Sequence, residues 1–389
     1  MKQVVKVRLY PSGEQAALLL KVLELSNQVA NHISTVRFTK DIRKKQDLQR
    51  ATYKEVSGYG LGSQLRILAA HKVHDAYKTL WANVRAGNLG KPGSKKYRRA
   101  TGKPIHFRPD AAQGFDDRCL SWDYQNHTVR VWTTAGRIVI PYLGKSQHMK
   151  QVAQHRQGQS DLVHQNGKWY LHITVDLPTP AALPATQYLG VDLGIANIAT
   201  DSNGKQWSGD HVRRLRQRNL KLRARLQKKA TKSAKRLLKK RSQKEARFST
   251  DVNHQISKHL VKEAKRTGQG IAIEDLTGIR DRVRQRGPKQ RGELHSWSFH
   301  QLGGFIVYKA ARDGVDLQIV DPAYTSQRCY NCGYIDRKNR TSQSRFHCQA
   351  CHHTDNADTN AAKNIAQLGK QPTGCQSYNK LEVNHPHAA

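Results

Sequence analysis

The chain has 389 residues and carries 67 Lys+Arg against 29 Asp+Glu, a formal net charge of +38. That excess excludes an ordinary small-molecule enzyme surface and points to a long polyanion, most simply nucleic acid and not a membrane. No window approaches ~18 apolar residues, so no membrane span is expected, and 37% hydrophobic content in recurring periodic segments excludes a wholly disordered chain.

In chain order, MKQVVKVRLYPSGEQ lacks an apolar core followed by a small-residue cleavage site, so no secretory signal is expected. Residues 3–10 alternate apolar and polar and predict a strand. Ser12 and Gln15 have capping-box spacing and open a helix over 13–38. Leu65, Ala69, Val73, Ala76 and Leu80 recur at helical spacing from Ser63 through Trp81. Residues 13–87 therefore read as a helical insert. Residues 88–110, basic and rich in Gly and Pro, read as an exposed loop with some extended structure. CLSWDY, TVRVWTT, GRIVIPYL and KWYLHITVDL follow as short strands, with turns at Gln125-Asn126 and Ala135-Gly136. PTPAALPAT, residues 178–186, reads as a linker.

The second region opens at Tyr188. YLGVDLGIANIATDSNGKQWSG predicts two strands around the Ser202-Asn203-Gly204 turn. Residues 211–247 hold seventeen Lys/Arg and one Glu, with leucines interspersed, and predict long basic helices. A further helix is expected over about 249–267, a buried strand at GIAIEDL, a helix over 299–313 and a strand at DLQIV. TNAAKNIAQLG closes as a last helix at Gly369, and residues 370–389 read as a disordered tail.

Two of these apolar strands carry acids: Asp192 in YLGVDLGIA, and Glu274 with Asp275 in GIAIEDL. An acid inside an apolar strand is costly unless compensated. With Asp358 at a helix start, two such strands can converge on divalent cations, whose hard oxygen preference suits Mg²⁺. Two clamped ions stabilise the attacking and leaving oxygens of a phosphodiester displacement. Taken alone, Asp358 reads better as a helix N-cap, and Asp192 reads equally either way; their joint occurrence in a basic chain favours the catalytic reading. Strand alternation sets Asp275 on the face opposite Glu274.

Cys329, Cys332, Cys348 and Cys351 form two CxxC knuckles fifteen residues apart. This is Cys₄ zinc spacing, and a closed tetrahedral set is structural. A single redox CxxC would not come twice. His347, His352 and His353 stand nearby, but the Cys₄ set is complete without them. Arg337, Lys338, Arg340 and Arg345 lie between or beside the knuckles and can face phosphate. Cys119 and Cys375 read as plain thiols.

The ordered set VDLGIANIATDSNG, IAIEDL, PAYTSQRCYNCG and ADTNAAKNIA resembles the RuvC-like nuclease of TnpB proteins from bacterial insertion sequences, relatives of type V CRISPR effectors. The resemblance extends to VKVRLYPSGEQ, RFSTDVNHQISKHLV and SWSFHQLGGFIVYKA and covers roughly residues 1–369. It implies an α+β multidomain chain: an RNase H-like (RuvC) nuclease domain at 183–321 and 352–369, with an inserted zinc ribbon at 322–351 that binds target nucleic acid. It also implies a β-rich wedge domain at 1–12 and 88–182 and a helical recognition insert at 13–87. The implied activity is cleavage of double-stranded DNA beside a short target-adjacent motif, directed by a transposon-derived guide RNA. The family's catalytic residues fall on Asp192, Glu274 and Asp358, which would hold two Mg²⁺ ions beside one structural Zn²⁺. The implied location is the bacterial cytoplasm, associated with the nucleoid.

Within that frame the 211–247 helices, including Arg213, Arg214, Lys228, Lys229 and Arg236, grip an RNA–DNA duplex through its backbone. Arg345 faces phosphate. Residues 280–297 become a lid over the active site, although as sequence they read equally as a flexible loop. Tyr53, Ser63 and Gln64 are candidates for reading base edges, and Ser63 reads equally as a helix cap. The sequence departs from the family at CHHTDNAD, where the second knuckle lacks its usual Gly and its turn is expected to be strained. A compact type V effector shares the same chemistry with a CRISPR-encoded guide. An RNA-guided repressor without cleavage is disfavoured by the intact acids, and a transposase by the lack of a Tyr or Ser motif.

Overall fold

The computed structural model describes residues 1–182, 184–279, 287 and 297–371, with backbone only at 242 and 243. The expected lid at 280–297, apart from Gly287 and Trp297, and the expected tail beyond 371 lie outside the described residues, as does Cys375. The chain divides into two compact units, Lys2–Leu177 and residues 178 onward.

In the first unit, β1 (Lys2–Leu9) leads through the Ser12/Gln15 capping box into α1 (Gly13–Thr39). The reciprocal Ser12 and Gln15 bonds satisfy two donors that would otherwise be orphaned at the helix start. Helices α2 (Lys45–Thr52) and α3 (Ser63–Arg85) follow. The stretch read as a loop contains α4 (Lys95–Thr101), started by Ser94, whose hydroxyl accepts from the Tyr97 N–H. It buries no residue, so hydrophobic periodicity carried no trace of it.

The strands are β2 (Gln113–Phe115), β3 (Leu120–Asp123), β4 (Thr128–Thr133), β5 (Gly136–Leu143), β6 (Arg156–Gln165) and β7 (Lys168–Asp176), with α5 (Ser146–His155) between β5 and β6. They form one antiparallel sheet in the order β2-β6-β7-β1-β5-β4-β3. Helices and sheet share a single core that includes Val7, Leu23, Leu65, Phe115, Ile140 and Leu171. The helical insert and the strands thus form one packed body.

The second unit holds a five-stranded sheet: β8 (Tyr188–Asp192), β9 (Asn197–Asp201), β10 (Gln206–Ser208), β11 (Gly270–Glu274) and β12 (Leu317–Val320), ordered β10-β9-β8-β11-β12. Strands β8, β11 and β12 run parallel, while β9 and β10 run antiparallel to their neighbours. The stretch expected as two strands is therefore three, because the chain reverses at Leu193–Ala196 as well as at Ser202–Gly204. The basic run forms α6 (Asp210–Lys229) and α7 (Lys232–Thr267). The separate helix expected from 249 is the C-terminal half of α7, because no helix breaker interrupts 232–267.

Strand alternation divides the sheet's two faces. Leu189, Val191, Ile271 and Ile273 pack with Ile256 and Leu260 of α7 and with Leu302 and Ile306 of α8 (Phe299–Asp313). Tyr188, Ala272 and Val320 pack with Ile365 of α9 (Ala357–Gly369) on the other face. Gly190 sits under α9, where a Cβ would lie 2.0 Å from the Ala362 carbonyl oxygen, so the helix rests on bare strand backbone. β13 (Arg345–His347), just before the second knuckle, pairs antiparallel with β14 (Thr354–Asn356), just before α9.

Candidate active site and cysteine site

Asp192 and Glu274 continue the alternation that points Tyr188, Gly190 and Ala272 toward α9, and both sit at the C-terminal ends of neighbouring parallel strands. Open parallel sheets bind ligands at that edge. Asp358 lies in the first turn of α9, which packs on the same face. The cap is not Asp358 but Asn356, whose side-chain oxygen accepts from the N–H groups of Asp358 and Thr359 at 3.0 and 3.2 Å. The Asp358 carboxylate is thereby left for other work. Asp275 is half-buried and does not line the cavity that Asp192 and Glu274 share; its carboxylate accepts from the Thr277 N–H at 2.9 Å.

Asp192 and Glu274 line a cavity of about 270 Å³ with Thr325, Ser326 and Arg340. Asp192 keeps some surface toward this cavity but is otherwise surrounded by protein. Burial holds its proton affinity well above the usual carboxylate range, and the nearby Glu274 and Asp358 charges raise it further, against the pull of Arg340.

Three neighbours orient the other two acids. The Thr325 hydroxyl donates to Glu274 Oε1 at 2.5 Å. Asn197 Nδ2 donates to Asp358 Oδ2 at 3.0 Å, and Arg340 Nη2 donates to Asp358 Oδ1 at 2.8 Å. Sequence reasoning missed Thr325 and Asn197, although both lie inside the motifs it singled out. It assigned Arg340 to phosphate, whereas here the guanidinium reaches back onto a carboxylate and lines the cavity. Two carboxylates on one pocket, with Asp358 close enough to raise the proton affinity of Asp192, suit hard divalent cations and repel each other without them.

The four cysteine sulfurs lie within 4.8 Å of one another, with Sγ pairs at 3.7 Å (Cys329–Cys351) and 3.5 Å (Cys332–Cys348). Zn–S bonds of about 2.3 Å in a tetrahedron require sulfur pairs about 3.8 Å apart, so the set fits zinc. Cys329 and Cys348 are buried with Phe346 and Ala357 in a core of their own.

The residue after each knuckle turns into the left-handed region: Gly333 at φ 77° and His352 at φ 59°. His352 thus occupies a turn that its counterpart fills with glycine, which is the strain expected from CHHTDNAD. His352→Gly should relieve ~1 kcal/mol of it and raise the midpoint for zinc release under chelator challenge.

The basic candidates Arg213, Arg214, Lys228, Lys229, Arg236 and Arg345 are all exposed. Arg213 pairs with Asp210, and Glu245 accepts from Asn219 and Arg223, so the acids of α6 and α7 neutralise few of these cations. In the first unit Ser63 opens α3 in an exposed position, but the cap is Gly62. Gln64 is held at both ends of its amide, donating to Asp116 at 2.6 Å and accepting from Arg118 at 3.0 Å. The Tyr53 ring lies under the Arg66 guanidinium at 4.5 Å.

A family model described as a probable transposase (OrfB_IS605) matches residues 172–279, and one described as Cas12f1-like, TNB domain, matches 299–365. Among curated relatives, the CRISPR-associated endodeoxyribonuclease Cas12f1 of Sulfoacidibacillus thermotolerans is 36% identical over 228 residues, 53% of this chain and 52% of its own. A protein of Escherichia coli K12 named as a candidate RNA-guided DNA endonuclease, InsQ, is 31% identical over 232 residues, 54% of this chain and 56% of its own. The TnpB-like protein MJ0751 of Methanocaldococcus jannaschii is 34% identical over 157 residues, 40% of this chain and 56% of its own. The chain spans about half the length of the curated relatives it matches.

Among solved structures, a Cas12f1–sgRNA–target DNA complex aligns over 96% of this chain and 99% of that one, at TM-score 0.62 and 13% identity. The mini-RNA-guided endonuclease CRISPR-Cas_phi3 aligns over 95% and 92%, at TM-score 0.58 and 10% identity. At these identities the likeness is one of fold. The matches fit the TnpB family and the type V effectors related to it.

Proposed function

We propose, from a chain that resembles TnpB proteins and type V effectors, that the protein is an RNA-guided DNA endonuclease whose second unit is a RuvC-like nuclease of the RNase H type. The observation that carries this reading is the placing of Asp192 and Glu274 at the C-terminal ends of neighbouring parallel strands, with Asp358 of α9 close by, in a chain with a net charge of +38. Divalent cations, in our reading two Mg²⁺ ions, would activate the attacking water and stabilise the leaving oxygen when bound.

The protein's own residues do the rest. The three carboxylates hold the cations, Thr325 aims Glu274, and Asn197 aims Asp358. Arg340 offsets their negative charge, which lets a phosphodiester approach an otherwise anionic pocket. Water displaces one ester oxygen at phosphorus, and the departing oxygen takes up a proton. The exposed cations of α6 and α7 supply backbone contacts to a guide–target duplex, while base pairing supplies the sequence choice. A transposon-encoded guide is favoured over a CRISPR-encoded one by the insertion-sequence resemblance.

The test begins with the purified protein. It should carry a structured RNA, and its cleavage of a matched plasmid should require that RNA. Its affinity for nucleic acid should fall by about 10³-fold or more between about 50 and 200 mM salt, as many phosphate contacts release counterions. RNA-free protein that is soluble and fully active on DNA would overturn the guided reading.

A further inference from the structure

Helix α9 does more than carry Asp358. Two and six residues beyond it, Asn360 and Asn364 are 0% and 2% exposed, four residues apart and therefore on one helix face. Both reach the segment that joins the cavity to the first knuckle. Asn360 Nδ2 donates to the Arg328 carbonyl at 2.8 Å, and its Oδ1 accepts from the Tyr330 N–H at 3.0 Å, so its amide brackets Cys329. Asn364 Nδ2 donates to the Thr325 carbonyl at 2.9 Å and the Arg328 carbonyl at 2.7 Å.

The other end of that segment is Thr325, whose hydroxyl holds Glu274. A second thread runs from the ribbon through Arg340. Its neighbour Asn339, fully buried, donates to the Gln327 and Tyr334 carbonyls and accepts from the Gln349 N–H. Arg340 then ends on Asp358.

Buried amides could be there only to satisfy loop carbonyls. Asn364 argues for more, because its Oδ1 is buried without a partner among the described residues. A buried acceptor left without a partner is costly, a penalty offset here by an Nδ2 that bridges two carbonyls. Two acids of the cavity are therefore aimed by chain segments whose positions depend on the cysteine knuckles.

We propose that Asn360, Asn364 and Thr325 are positioning residues that link the cysteine site to the carboxylate site, so that zinc at the cysteines tightens cation binding at the carboxylates and the reverse. The reverse follows from thermodynamic reciprocity. The proposal rests on the reading of the carboxylates as cation ligands.

The experiment uses the full chain with its RNA and Mn²⁺ as the probe. Mn²⁺ binding is measured by electron paramagnetic resonance, and zinc release into a chelating dye is timed with and without saturating Mn²⁺. In the wild type, Mn²⁺ should slow zinc release. Asn364→Leu should weaken Mn²⁺ binding at least about tenfold, as loss of an outer partner does at other metal sites, and should speed zinc release. Thr325→Val is nearly isosteric and leaves the knuckle contacts alone. It should weaken Mn²⁺ binding and reduce the Mn²⁺ effect on zinc, even if Asn364→Leu fails to fold. Thr325→Val with wild-type Mn²⁺ affinity, or zinc release indifferent to Mn²⁺ in the wild type, would overturn the linkage and leave the carboxylate reading standing. A wild type with no Mn²⁺ site that Asp192→Ala removes would overturn both.

Discussion

Asp192→Ala, Glu274→Ala and Asp358→Ala should each reduce DNA cleavage by at least about 10³-fold, the several kcal/mol that correctly held cations supply to the transition state. Guided DNA binding should persist, because it rests on base pairing and on phosphate contacts outside the cavity. The measurement is plasmid cleavage with Mg²⁺ beside a gel shift on the same target. Asp275→Asn is the internal control. Its side chain caps the Thr277 N–H away from the cavity, so it should cost stability more than chemistry.

The same cluster has a pH signature. Asp192 holds a proton above the usual carboxylate range in the cation-free protein. The unfolded chain releases that proton sooner, so cation-free stability should fall as pH rises from the ordinary carboxylate value through the raised one. Added Mg²⁺ displaces the proton, so the cation-induced gain in melting temperature should grow over that range. Cleavage at the wild-type rate by both Asp192→Ala and Glu274→Ala would make the acids structural and the nuclease reading wrong.

The second large effect concerns zinc. Cys329→Ser or Cys351→Ser should sharply reduce the yield of folded protein. The core around the knuckles consists of little beyond Cys329, Phe346, Cys348 and Ala357. So small a cluster cannot order the residues between the knuckles unaided, while zinc contributes on the order of 10 kcal/mol to such folds. Metal analysis should find one zinc per chain that survives mild EDTA. Asp192→Ala should still carry one zinc per chain, since it leaves all four cysteines in place. Protein from zinc-replete cells that contains no zinc would refute the ribbon.

By itself, the sequence determined the features that depend on neighbours along the chain. The Ser12–Gln15 box, the CxxC spacing and the alternation that sets Asp192 and Glu274 on one face and Asp275 on the other are all short-range patterns. Each survives into the fold because its physical cause spans only a few residues.

Tertiary structure decided what depends on partners far away. Strand β6 (RQGQSDLVHQ) lacks clean alternation and exists because β7 and β2 offer it hydrogen bonds on both edges. The freedom of Asp358 to act was settled when Asn356 took the cap. Its partners Asn197 and Arg340 lie 161 and 18 residues away, and Thr325 lies 51 from Glu274. Polar residues four apart in the apolar run ADTNAAKNIA were the only local sign of Asn360 and Asn364. What they bind could not be read there, because a buried amide's role is set by which carbonyls the fold brings within about 3 Å of it.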